Sequence, residues 1–200
     1  MSDFVELWRL LEKVGQKVGL GYLDPNVVRD ELNALLECCS ALPTVDCDMQ
    51  PSLQSWEQLS SHKPGGKVVV DLDRLRFYAS PKQRAGQRVY GGELILDMDS
   101  EHIPGFNACM FEHLQKRQDE IPERFRYVEI DGRHVPRKIL FPGTVITVRG
   151  EGVRGESILG LTWQETVELG ANVGKWTPTR VFINRTQLSG DFQVAYFPAA

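Results

Sequence analysis

The stretch "RYVEIDGRHVPRKILFPGTVITVRG", Arg126–Gly150, decides the fold. Its apolar residues recur every second position, the period of a half-buried strand. Asp131-Gly132 suits the two-residue turn that needs two positive backbone angles, so the flanking runs read as a hairpin. Pro136 has no N–H for a ladder and places its strand at a sheet edge. "FPGT", Phe141–Thr144, reads as a second turn. Two consecutive hairpins mean an antiparallel sheet, built without crossover helices.

Working outward, the same period predicts strands at 67–72, 88–98, 124–130, 133–141, 144–149, 157–163, 180–185 and 191–197. One helix interrupts them at about 105–120, where Phe106, Cys109, Met110, His113 and Leu114 share a face. Upstream the period is helical. Phe4, Leu7, Trp8, Leu11, Val14 and Val18 form one stripe, and Val28, Leu32, Leu35, Leu36 and Cys39 form another. Gly19 and Gly21 break the first helix, and Asp24-Pro25 starts the second as N-cap and first-turn proline. The domain reading is an N-terminal helical hairpin over 1–42, a Pro/Gly-rich linker over 43–66, and a β-rich domain over 67–200. The fold class is α+β, with the hairpin packed on a mostly antiparallel, strongly curved sheet or small barrel.

The chain has 200 residues, 42% hydrophobic and 25% charged, which suits a globular domain with a real core. A net charge of −4 gives no basic coat for nucleic acid or an anionic membrane. The first residues carry charges throughout, unlike a secretory signal, so a cytoplasmic setting is expected, without membrane insertion. The cysteines Cys38, Cys39, Cys47 and Cys109 contain no C-x-x-C pair. Asp46 and Asp48 beside Cys47 should raise its thiol pKa and leave it inert.

Two segments carry the chemistry that the sequence offers. "VVVDLD", Val68–Asp73, and "LILDMD", Leu94–Asp99, both read as apolar strands ending in Asp-x-Asp. Residues two apart in a strand share a face, about 7 Å apart. If the two strands are neighbours, Asp71, Asp73, Asp97 and Asp99 converge, with Glu101 and His102 following in "DSEHIPG". Such oxygen-rich clusters suit magnesium or manganese, and a bound ion would serve phosphoester chemistry. The competing reading is that both pairs mark strand exits, since Asp favours turns.

"VVVDLD" resembles the nucleophile motif of haloacid dehalogenase-like phosphatases over about six residues. That family continues with glycine and threonine and requires a parallel sheet. Here Arg74, Leu75 and Arg76 follow, and the downstream pattern is antiparallel, so the family is rejected. "DLD" with the later "SEH" is similar in the same limited way to the acidic pair and Ser-x-His of archaeo-eukaryotic primases. That family carries Ser-x-His on its own strand, and no basic channel accompanies it here.

Basic residues gather in 124–154, at Arg124, Arg126, Arg133, Arg137, Lys138, Arg149 and Arg154. They form a candidate anion or partner surface, with nucleic acid possible but not indicated. The alternative is a solvated sheet face answering the acidic N-terminal region. "VRGE" occurs twice, at 148–151 and 153–156, and its glycines suit a loop tip.

No complete catalytic set appears. The sequence therefore favours an interaction or binding module, with a protein partner or self-association. One alternative is a metal-dependent phosphoester or nucleic-acid hydrolase using Asp97, Asp99, Glu101 and His102. Another is a small-ligand-binding barrel.

Overall fold

The computed structural model describes residues 12–14, 16–22, 24–30, 42–150, 153–168 and 171–198. The chain divides into two compact units, Met1–Leu42 and Pro43–Ala200.

In the first unit the local punctuation is visible. Residues 16–19 are helical and end at Gly21 (φ 75°). Tyr22 N donates to Lys17 O at 2.9 Å and Gly21 N to Val18 O at 3.0 Å, a left-handed helix C-cap. Asp24 Oδ1 accepts from Asn26 N at 2.8 Å, and residues 25–30 are helical. Most of both apolar stripes, and the expected packing of a hairpin, lie outside the described residues.

The second unit is mixed α+β and mostly sheet. Its strands are β1 (Thr44–Asp46), β2 (Glu57–His62), β3 (Lys67–Val69), β4 (Arg76–Tyr78), β5 (Val89–Tyr90) and β6 (Tyr127–Ile130). The remainder are β7 (Arg133–Pro136), β8 (Lys138–Gly150), β9 (Val153–Glu168), β10 (Ala171–Phe182), β11 (Gln187–Leu188) and β12 (Phe192–Tyr196). The helices are α1 (Pro81–Arg84), α2 (Gly91–Ser100) and α3 (Ala108–Lys116). The main sheet runs β10-β9-β8-β12-β4, and β2 also pairs with β8. Every pairing in it is antiparallel except β12 on β8.

The hairpin at the centre of the sequence reading is present. β6 and β7 pair from Tyr127↔Pro136 to Ile130↔Arg133, and Asp131 (φ 50°) and Gly132 (φ 74°) make the turn. Pro136 sits in a two-stranded ribbon, where its missing N–H breaks no inner ladder.

"FPGT" is not a turn. It is a bulge inside the single 13-residue strand β8: Phe141 pairs with Leu159, Val145 pairs with Ile158, and the residues between have no partner on β9. Pro142 cannot donate to a ladder, and Gly143 comes too close to another backbone for a side chain. A Cβ there would lie 2.9 Å from Phe106 O. The bulge has a topological effect. Before it, residues 138–140 pair with β12; after it, residues 144–148 pair with β2. One edge of β8 thus serves two strands that diverge.

The segment 43–66, expected as a linker, supplies β1, which pairs with β3, and β2. The expected strand 124–130 begins only at Tyr127, because Glu123–Phe125 is a 3-10 turn set by Pro122. The helix expected at about 105–120 is α3, followed by a separate 3-10 turn at Gln118–Glu120.

The strand expected at 88–98 is the largest correction. Only Val89–Tyr90 is strand; Gly91–Ser100 is helix α2. Its buried face is Gly91, Leu94 and Met98, a helical spacing, while Leu96 is 69% exposed. The run "LILDMD" alternates only by coincidence. Glu93 starts the helix by accepting from Tyr90 N at 2.9 Å.

Alternate residues of the sheet bury on opposite faces. Ile139, Phe141, Leu159, Leu161 and Trp163 pack with Met110, Phe111 and Leu114 of α3. Leu140, Ile158, Val181 and Val194 pack with Leu94 and Met98 of α2. A helix therefore covers part of each face. The sheet is not a closed barrel, since among the described residues β10 and β4 end it without pairing to each other. The outer edge of β10 is also blocked: Trp176 N is capped by Gln118 Oε1 at 3.1 Å, and Pro178, two residues on, has no N–H on that edge.

Candidate functional site

The two aspartate pairs do not meet as expected. Asp71 and Asp73 lie in the turn after β3, where Asp71 Oδ1 accepts from Asp73 N at 3.1 Å and Arg74 N donates to Asp71 O at 3.0 Å. This is the turn-forming use of aspartate. Asp73 is then paired with Arg124 at 2.6 Å, not with the neighbouring arginines. Asp97 and Asp99 are on α2, where residues two apart point about 200° apart and share no face. Asp99 pairs with Lys63 at 2.8 Å. Glu101 accepts from Tyr78 Oη at 3.1 Å and lies 3.9 Å from Arg84. Among the described residues no group of three or more His, Cys, Asp or Glu side chains is placed to share a metal ion.

His102 has a local explanation. It has φ 58°, in the left-handed region, immediately after α2. His102 N donates to Asp99 O at 3.3 Å and Ile103 N to Met98 O at 2.9 Å. That pair of bonds is a helix C-cap with histidine where glycine is usual. Its ring Nδ1 lies 3.2 Å from Asp99 O, which closes the cap further.

Asp99 and His102 nevertheless border a pocket of about 460 Å³, walled by Val68, Ile103, Phe106 and Phe197. The polar groups around it are already engaged internally. Lys63 and Asp99 pair with each other. Asn107 caps α3 by accepting from Cys109 N at 3.1 Å, and its Nδ2 donates to Cys47 O at 2.7 Å and Lys63 O at 3.0 Å. His62 Nδ1 lies 2.8 Å from Thr144 Oγ1, which accepts from Ala108 N at 2.9 Å. His62 Nε2 lies 3.2 Å from Cys47 O and 3.3 Å from Asn107 Nδ2, so the ring joins the same network. These groups anchor the start of α3. Cys47 in the same wall is 2% exposed. Burial, then Cys109, Asp46 and Asp48, push its thiol up to about 11, so it is no nucleophile at neutral pH.

Arg126 pairs with Glu123 at 2.7 Å and stacks 4.5 Å from the Trp163 ring centre. Arg137 lies 4.0 Å from the Phe77 ring centre, donates to Tyr127 O, and is pulled down to about 10 by burial. Lys138 pairs with Asp191. Arg133 is exposed on the β6–β7 hairpin, and Arg149 and Arg154 face each other across β8 and β9.

A larger cleft of about 700 Å³ lies beside α3 on the same sheet face. Its apolar floor is Phe111, Ile146, Leu159 and Pro178. In its wall Glu57 of β2 pairs with Arg180 of β10. The glutamate side chain is 2% exposed and the arginine 29%. Glu57 Oε2 also accepts from Gln54 N at 2.9 Å. β2 and β10 are separated by β8 and β9, so in a flat sheet their backbones would be at least about 14 Å apart. The pair is thus a clasp across the concave face, formed only because the sheet curls. Arg180 also lies 5.1 Å from the ring centre of Trp56, and its Nη1 is buried without a partner among the described residues. Burial lowers its pKa.

Around the clasp stand polar side chains of another kind. Glu112 uses Oε1 to accept from Ser52 N at 2.8 Å, leaving Oε2 open. The side chains of Gln54, Gln115 and Lys116 have no hydrogen-bond partner among the described residues, while Thr179 lines the cleft through its backbone and turns its side chain to the other face, beside Leu140. None of these residues was singled out by the sequence reading. With the clasp they come from three separate segments, 52–57, 112–116 and 179–180, and carry no shared motif. No helix among the described residues is long and apolar enough to cross a membrane. Comparison with protein-family models, curated proteins and solved structures finds no match.

Proposed function

We propose that the second unit is a binding module that takes its ligand in the cleft between α3 and the concave sheet. The observation that supports this is the contrast between the two concavities. The polar groups of the smaller one bond to each other and anchor the fold. Those of the larger one, Gln54, Gln115 and Glu112 Oε2, surround an apolar floor and have open bonding capacity. An apolar cavity with a few convergent polar groups is the usual form of a small-molecule site. The cavity volume falls within the usual range of about 300–1,000 Å³.

The test is backbone-amide NMR of the whole chain against a fragment library. Shifts should cluster on Phe111–Lys116 and Pro178–Arg180. Fragments that bind only at the Asp99–His102 pocket, or none that bind, would refute this placement. Turnover of a phosphate ester with magnesium or manganese, abolished by Asp99→Asn, would replace the module with the hydrolase reading.

A further inference from the structure

We infer that the ligand of this cleft is a neutral saccharide; this rests on the cleft being the binding site. The charge balance comes first. Two acids, Glu57 and Glu112, and two bases, Lys116 and Arg180, line the cleft, and Glu57 and Arg180 are spent on each other. The remaining Glu112 and Lys116 cancel, so the cleft has no net charge to favour an anion or a cation.

The bonding inventory comes next. Gln54 and Gln115 each offer a carbonyl acceptor and an NH2 donor in one plane, and Glu112 an open carboxylate oxygen. Donor and acceptor side by side match vicinal hydroxyls, each of which both donates and accepts. A purely apolar ligand would strand these groups, and Gln115 and Glu112 are already half-buried. The floor of Phe111, Ile146, Leu159 and Pro178 suits the C–H face of a pyranose ring. Trp56, 44% exposed and linked to the cleft through Arg180, offers an indole on which a further ring can lie.

Saturation-transfer NMR with cellobiose, maltotriose and di-N-acetylchitobiose tests the inference, with glucuronate and glucosamine as charged controls. At least one neutral sugar should receive saturation and the charged ones should not. Affinity for that sugar should fall about tenfold, equal to about 1.4 kcal/mol, in Gln115→Ala. Trp56→Phe should retain binding to the longer sugars better than Trp56→Ala. No transfer to any of the three neutral sugars, or affinity unchanged in both Gln115→Ala and Glu112→Ala, overturns the saccharide assignment. If fragments still shift the α3 cleft, only the ligand class has failed; if they do not, the site itself has failed.

Discussion

The Glu57–Arg180 clasp makes the sharpest prediction, because its two halves are unequally buried. Removing one partner of a buried ion pair typically costs about 3–5 kcal/mol, most of it from the charge left behind. Here the carboxylate is 2% exposed and the guanidinium 29%. Arg180→Met strands Glu57 beside one backbone N–H, from Gln54, so about 3–4 kcal/mol should be lost. Glu57→Gln leaves an amide that still accepts from Arg180, and the guanidinium has some access to water, so about 1–2 kcal/mol is expected. The double variant Glu57→Leu/Arg180→Met removes both charges and should be more stable than Arg180→Met alone, with a coupling of about 2 kcal/mol. Urea unfolding followed by tryptophan fluorescence reads this directly. With a slope near 2 kcal/mol per molar, Arg180→Met should lower the midpoint by about 1.5–2 M. If Arg180→Met and Glu57→Gln cost the same, or both cost under about 0.5 kcal/mol, the clasp is not holding the curled sheet and the argument fails.

Three further outcomes follow from individual residues. His102→Gly should raise stability by about 1 kcal/mol, since glycine adopts the left-handed C-cap of α2 without strain; a loss in thermal unfolding would instead give the histidine ring a role beyond the cap. Thr144→Val keeps the shape but leaves Ala108 N and His62 Nδ1 without their partner, and should cost about 1–3 kcal/mol in urea. His113 is shifted down by burial and then by Arg117, so it takes up a proton less readily folded than unfolded. Its contribution is therefore absent well above the ordinary histidine range and turns unfavourable as pH falls through it. His113→Gln should flatten the stability loss between about pH 7 and 5.5, seen in wild-type and variant denaturation curves across that window.

Where the controlling interactions lie within a few residues, the sequence reads correctly. Asp131-Gly132 needed only its own backbone preferences to make the β6–β7 turn. Asp24 capped the following helix, and Gly21 ended the one before it. Asp71 and Asp73 took the turn role that competed with the metal reading, while Cys47 was raised by the neighbours that the sequence placed beside it, after burial itself.

The remainder depended on distant partners. "LILDMD" has two acceptable periodicities, and the choice was made by the hydrophobic face formed by Leu140, Ile158, Val181 and Val194, which receives Leu94 and Met98 as one helical stripe. That choice, with Asp71 and Asp73 in a turn, leaves no three of these carboxylates placed to share an ion among the described residues. "FPGT" has turn chemistry, yet it became a bulge because β9 continues to pair on both sides of it and β2 takes over from β12. The cleft was legible from neither period nor motif. Glu57 and Arg180 are 123 residues apart in sequence and come together only through the curl of the sheet. Local preferences, worth fractions of a kcal/mol each, settled the turns and caps. Burial of apolar faces, worth several kcal/mol per element, settled which period prevailed and which polar groups shared a cavity.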